Sequence, residues 1–131
     1  MSWLLDTSAC IAFLRGQDEA VRQAILGREP DQLRVCSVVR AELEFGARRS
    51  NRVEDNLQRV RSFCAAMQSL PFDDEAAERY GLIRVQLERE GRTIGANDLL
   101  IAAIGLAADA TLVTKNAAEF RRVAGLRVEV W

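Results

Sequence analysis

The sequence predicts an α/β fold of three layers, α/β/α, with a short parallel sheet at its centre. Three observations lead to it. Trp3-Leu4-Leu5, Leu33-Arg34-Val35-Cys36 and Thr111-Leu112-Val113-Thr114 are short apolar runs of strand length. Segments with helical spacing separate them, the alternation expected of a parallel sheet. Residues 99–108, LLIAAIGLAA, are apolar on every side, as a helix is when sandwiched inside a domain. In such sheets ligands bind beyond the carboxyl ends of the strands.

In chain order, the first strand ends at Asp6-Thr7-Ser8, where Thr7 or Ser8 is read as the cap of a helix over residues 9–14. A second helix is expected over residues 19–26, ended by Gly27. Ser37 is read as the cap of the helix after the second strand. Its Val39, Leu43, Gly46 and Ala47 share a face predicted to be buried. Val53, Leu57, Val60, Cys64 and Met67 repeat with helical spacing. Leu70-Pro71-Phe72 is read as a third strand, at an edge or a strand start because proline has no N–H. Ala76, Tyr80, Ile83 and Leu87 mark an amphipathic helix stopped by Gly91. The apolar helix, the strand at 111–114, and a last short strand over residues 126–130 follow.

The 131 residues, 49% hydrophobic and 28% charged, suit one globular domain spanning 1–131. No stretch approaches the roughly 20 apolar residues of a membrane span. The start of the chain has no basic region ahead of an apolar one, so a cytoplasmic protein is expected. Cys10, Cys36 and Cys64 form no C-x-x-C pair and read as reduced core residues. The net charge of −1 leaves nucleic-acid binding to a local patch, and the arginines at 48, 49, 52, 59 and 61 offer one.

The chain has no histidine. That excludes histidine acid–base catalysis, Ser-His-Asp triads and histidine-bound zinc. A metal would be held by oxygen ligands, which points to Mg²⁺ or Mn²⁺.

The candidate ligands are carboxylates. Asp6 directly follows the first strand, and Asp98 is the last polar residue before the apolar helix. Each alone is explicable as a helix-terminal acid. Together, and with one beside so apolar a helix, they point to pairing or metal binding. Glu42 and Glu44 face nearly opposite ways, since two residues turn about 200° around a helix. Glu44 is read as a solvated charge. Glu42 is either a site acid or a surface acid paired with Arg49. Glu119 follows the turn at Thr114-Lys115-Asn116, and Lys115 is either solvated or aimed at a phosphate.

Leu5-Asp6-Thr7-Ser8, Ala41-Glu42-Leu43-Glu44-Phe45-Gly46-Ala47, Gly95-Ala96-Asn97-Asp98-Leu99-Leu100-Ile101-Ala102-Ala103, and Thr114-Lys115-Asn116 with Glu119-Phe120 come in one order along the chain. That order and spacing resemble the PIN-domain ribonucleases, specifically the VapC toxins of VapBC toxin–antitoxin pairs, over essentially the whole chain. The stretch from Glu119 to Glu129 also resembles the subgroup that cuts initiator tRNA in the anticodon loop. The resemblance implies a PIN-like fold and a Mg²⁺-dependent endoribonuclease, with Mn²⁺ as a substitute. It implies Asp6 and Asp98 as principal metal ligands and Glu42 as a third acid. Thr7 or Ser8, and Thr114, would be supporting hydroxyls. The fourth position is open between Glu119 and Asn116, which stands where many relatives have aspartate. Implied partners are a VapB-type antitoxin lying across the acidic groove, an RNA substrate such as tRNA, and a second toxin copy in a homodimer.

Three rivals are weaker. A haloacid-dehalogenase-type phosphatase needs a second aspartate where this chain has Ser8. A phospho-receiver domain needs paired acids after the first strand and leaves Asp98 unused. A PIN domain serving only as a binding scaffold would not need Asp6, Glu42 and Asp98.

Overall fold

The computed structural model describes residues 1–131. Five parallel strands, β1 (Trp3–Leu5), β2 (Leu33–Cys36), β3 (Gln68–Leu70), β4 (Thr111–Val113) and β5 (Val128–Glu129), form one sheet in the order β3-β2-β1-β4-β5. Helices on both faces complete the three layers. They are α1 (Thr7–Arg15), α2 (Glu19–Leu26), α3 (Ser37–Arg48), α4 (Val53–Ala65), α5 (Asp74–Arg89), α6 (Ala96–Ala107) and the short α7 (Ala117–Phe120). No helix is long and apolar enough to cross a membrane.

The order of strands positions the site. From β1 the chain steps outward through β2 to β3, then returns to the other side of β1 for β4 and β5. The direction of winding therefore reverses between β1 and β4, and a crevice opens beyond their carboxyl ends. The register sets Leu5 beside Val113, so Asp6 and Thr114, the next residues, emerge side by side.

The core explains the predicted strands and helices. Leu4, Leu5, Val35, Leu112 and Val113 are fully buried from the sheet, and Ile101, Ala102, Ala103 and Ile104 from α6. At Gly105 α6 packs against Leu4 of β1 and against Leu126, at distances that a Cβ would meet as ordinary contact, 3.6 and 3.4 Å. Cys10, Cys36 and Cys64 are all free and buried. Burial raises the thiols of all three, most of all Cys10.

Several local expectations differ from what is found. The cap of α1 is Asp6, whose carboxylate accepts from Ala9 N–H, and not Thr7 or Ser8. The cap position of α3 is Cys36, so Ser37 is already helical. The third strand lies at Gln68–Leu70 and ends before Pro71, because its ladder partners on β2 are Arg34 to Cys36. It is an edge strand, as the proline suggested. Gly46 is exposed, unlike Val39, Leu43 and Ala47. Residues 117–120, which follow the expected turn and carry no expected element, form α7.

Candidate active site

The site is built on Asp6. Its backbone N–H donates to Val113 O at 2.9 Å, tying the residue to β4. Only 5% of Asp6 is exposed, and a buried carboxylate is costly unless its oxygens are satisfied. Three donors meet it. Ala9 N–H and Ser8 Oγ donate to Oδ1 at 2.9 and 2.7 Å, and Thr114 Oγ1 donates to Oδ2 at 2.5 Å. The remaining acceptor capacity is free to meet a cation.

The hydroxyls form a short relay. Ser8 Oγ lies 3.2 Å from Thr114 Oγ1 and accepts Lys115 N–H at 2.9 Å. Thr114 Oγ1 also accepts Asn116 N–H at 3.0 Å. Thr7, on the other side of α1, donates to Glu42 Oε1 at 2.7 Å. Both hydroxyls of the Thr7-Ser8 pair are thus engaged, each on a different acid.

Asp98 lies in the first turn of α6, half-buried. Burial is the largest influence on its carboxyl, followed by a hydrogen bond and charge repulsion from Glu119, then repulsion from Asp6 and Glu42. Together they push it up to about 7. Glu119 reaches Asp98 because α7 begins directly after the Thr114 turn. Asn116 caps α7 with its side chain exposed and makes no side-chain cap bond. Of the two candidates for the fourth position, Glu119 is the one the fold brings to the acids.

Glu42 and Glu44 separate as the helix spacing requires, but Glu44 is not simply solvated. It is half-buried and pairs with Arg61 of α4 at 3.0 Å. Glu42 takes no bond from Arg49, whose guanidinium lies 5.3 Å from the Phe45 ring centre. Lys115 is partly exposed and engaged by the chain itself. It pairs with Asp18 at 2.9 Å and donates to the carbonyl of Trp131. That bond and Val21 N–H hold the Asp18 carboxyl below its usual range.

A groove between α1, α3 and α4 is lined by Glu42 and Gly46 and by Arg15, Arg49 and Arg59. Of the arginines singled out in the sequence, Arg49 and Arg59 line this groove, Arg49 over the Phe45 ring and Arg59 donating to the carbonyl of Leu14. Arg52 and Arg61 are engaged with Asp55 and Glu44. Arg15 was not singled out; its position in the last turn of α1, two turns from Thr7, is the signal that places it on this wall.

The donor set fits a hard divalent cation. All its members are oxygen ligands, and the repulsion that raises Asp98 is what a cation would relieve. No three of the acids stand close enough to enclose an ion unaided. Mg²⁺ does not require that, since it keeps several waters and takes one or two carboxylates.

A PIN domain profile matches residues 3–126. Over its whole length the chain is 35% identical to Ribonuclease VapC2 of Rickettsia felis, covering 98% of that protein. It is 34% identical to the tRNA(fMet)-specific endonuclease VapC of Shigella flexneri, again covering 98%. The fold superposes on a chain of the crystal structure of VapBC2 from Rickettsia felis bound to a DNA fragment from their promoter, with a TM-score of 0.93 and 32% identity. That match covers 100% of this chain and 99% of the other.

Proposed function

The chain belongs to the PIN-domain family, in its VapC group of ribonuclease toxins, and from that premise we propose that it is a Mg²⁺-dependent endoribonuclease that cleaves tRNA. The observation that supports this reading is Asp6, held by Ser8 and Thr114 at the end of β1, with Glu119, Asp6 and Glu42 all near enough to raise Asp98 by their charge.

Each side chain has a distinct task. Asp6 and Asp98 hold the ion, and Mn²⁺ would substitute for Mg²⁺ on the same oxygen ligands. Bound Mg²⁺ supplies Lewis acidity toward the phosphodiester and lowers the pKa of water. Thr114 and Ser8 fix the Asp6 carboxylate, so its free lone pairs point in one direction. Thr7 fixes Glu42 in the same way. Glu119 stands against Asp98, and its charge adds to the repulsion that a bound cation would relieve. Hydrolysis leaves a 3′-hydroxyl and a 5′-phosphate. Arg15, Arg49 and Arg59 line the groove that also holds Glu42, where they would meet RNA phosphates.

The finer assignment follows the relatives. The Shigella relative is named for cleavage of tRNA(fMet), and this chain resembles it over its full length. Initiator tRNA, cut in the anticodon loop, is therefore the proposed substrate. The Rickettsia structure holds a VapBC pair on promoter DNA. A VapB-type antitoxin is accordingly proposed as the neutralising partner, acting in the cytoplasm on a toxin homodimer.

The test is to offer purified protein total RNA with Mg²⁺ and map the cut ends. Cuts in the initiator tRNA anticodon loop are expected, with 5′-phosphate ends and with loss of cutting in EDTA. A binding scaffold would retain RNA or antitoxin binding and make no cuts, which would overturn the enzymatic reading.

A further inference from the structure

Lys115, the only lysine in the chain, is tied into the structure through both its backbone and its side chain. Its backbone N–H donates to Ser8 Oγ at 2.9 Å, and the next N–H, that of Asn116, donates to Thr114 Oγ1 at 3.0 Å. A hydroxyl carries one proton and two lone pairs. With a lone pair of each occupied by these N–H groups, Ser8 and Thr114 give their protons to Asp6, at Oδ1 and Oδ2. The turn at 114–116 therefore sets the direction of both hydroxyls, and through them the direction of the Asp6 carboxylate.

The Lys115 side chain holds that turn. Its ammonium pairs with Asp18 Oδ2 at 2.9 Å and donates to the carbonyl of Trp131. Both partners are themselves fixed. Asp18 caps α2, accepting Val21 N–H at 3.1 Å on its other oxygen. Trp131 donates its indole N–H to the Glu129 side chain, and the Glu129 carbonyl receives Thr114 N–H at 3.1 Å. One side chain thus joins the start of α2 and the segment after β5 to the turn beside Asp6. A fully exposed ion pair contributes little, because water screens it and both ends move. Here the lysine and aspartate side chains are only 31% and 28% exposed, and the aspartate is immobilised by the helix that it caps.

We propose that Lys115 is a positioning residue for Asp6: clasped between Asp18 and Trp131, it fixes the turn whose N–H groups orient Ser8 and Thr114 on the carboxylate. This role rests on the proposed assignment of Asp6 as an ion ligand. The competing role for a lysine beside such a site is contact with an RNA phosphate, and the Asp18 carboxylate weighs against it by already neutralising the ammonium. Arg28 stabilises the same corner by other means, through the ring faces of Trp3 and Trp131 and not through the turn. It therefore separates a general loss of stability from a loss of positioning.

The test measures Mn²⁺ binding to the full chain without RNA, by electron paramagnetic resonance, beside kcat and KM for RNA cleavage. Lys115→Met keeps the stem and removes the charge. It should weaken Mn²⁺ binding about tenfold and lower kcat by a similar factor, with KM within about twofold. Lys115→Arg restores a cation and should bring both back to within about threefold of the unaltered chain. Asp18→Asn keeps an oxygen to cap α2 and loses the ion pair, so Mn²⁺ binding should weaken about threefold. That variant tests the role even where Lys115→Met misfolds, which circular dichroism checks. Arg28→Ala should lower the melting temperature and leave Mn²⁺ binding within about twofold. Folded Lys115→Met and Asp18→Asn proteins that bind Mn²⁺ as the unaltered chain does would overturn the proposal. So would a loss confined to KM, or an equal loss of Mn²⁺ binding in Arg28→Ala. An unaltered chain that binds Mn²⁺ and cuts no RNA would overturn the proposed function alone; one that binds no Mn²⁺ would overturn both.

Discussion

Thr114 Oγ1, at the end of β4, donates to Asp6 Oδ2, at the end of β1, across 108 residues of sequence. The bond closes the crevice where the sheet reverses its winding, and it fixes the orientation of the acid on which the site is built. Thr114→Val keeps the shape and removes the donor. It should cost about 1–3 kcal/mol of stability, the range for a buried acceptor left short of a partner. RNA cleavage should fall at least about tenfold, as a misaligned ligand implies, while Thr114→Ser should retain most of both. Chemical denaturation alongside a cleavage assay separates the two effects.

Asp98 gives the site a pH dependence of defined sign. Its folded value of about 7 lies above the ordinary 3.8, so between those limits the native state holds a proton that the unfolded chain has released. Without divalent ions, this group's contribution to stability is therefore full below the ordinary value and is lost as pH rises through 7. Mg²⁺ affinity should move the opposite way, strengthening over the same interval as the Asp98 proton is displaced. In Asp98→Asn both trends should flatten. Thermal melts across this pH range, with EDTA and with Mg²⁺, provide the check; metal-free stability that rises from pH 4 to about pH 7 and flattens in the variant would contradict the assigned sign.

Glu42 and Glu44 should separate by function. Glu42, bonded to Thr7 at the crevice, is predicted to lose activity at least about tenfold as Glu42→Gln with little change in melting temperature. Glu44→Gln weakens a half-exposed pair with Arg61 and should shift stability by less than about 1 kcal/mol while leaving cleavage intact. Parallel melts and cleavage rates on the two variants measure the contrast.

Arg28 fastens the end of the chain. Its guanidinium lies 4.5 Å from the Trp3 ring centre and 4.1 Å from that of Trp131, while both indole N–H groups donate to Glu129 Oε2. Arg28→Ala should cost about 1–2 kcal/mol through the lost cation–π contacts. Tryptophan emission should shift to longer wavelength as the rings become hydrated, with cleavage unchanged.

The strands and the main helices were legible because burial writes itself into composition. Leu4-Leu5, Leu112-Val113 and the all-apolar α6 have few alternatives inside a small domain. Asp6 and Asp98 were legible as acids at element ends. What escaped depends on contacts distant in sequence. Asp6 took the cap of α1 because β4 pins its backbone, which Thr7 and Ser8 could not reveal. The third strand was placed too late because its register is set by β2, not by the apolar character of Phe72. The partners of Lys115, Asp18 and Trp131, are remote from it in sequence. Glu119 stayed tied with Asn116 until the four-residue α7, too short to carry a periodic signal, turned it toward Asp98.

The most direct test of the central claim is Mg²⁺-dependent RNA cleavage by Asp6→Asn. This variant keeps the shape of the side chain and an oxygen to receive Ala9 N–H, so its circular dichroism should match the unaltered chain. Cleavage should nevertheless fall by about a hundredfold or more, since a charged ligand to the ion is gone. A folded Asp6→Asn protein that cuts RNA at the original rate would contradict the account.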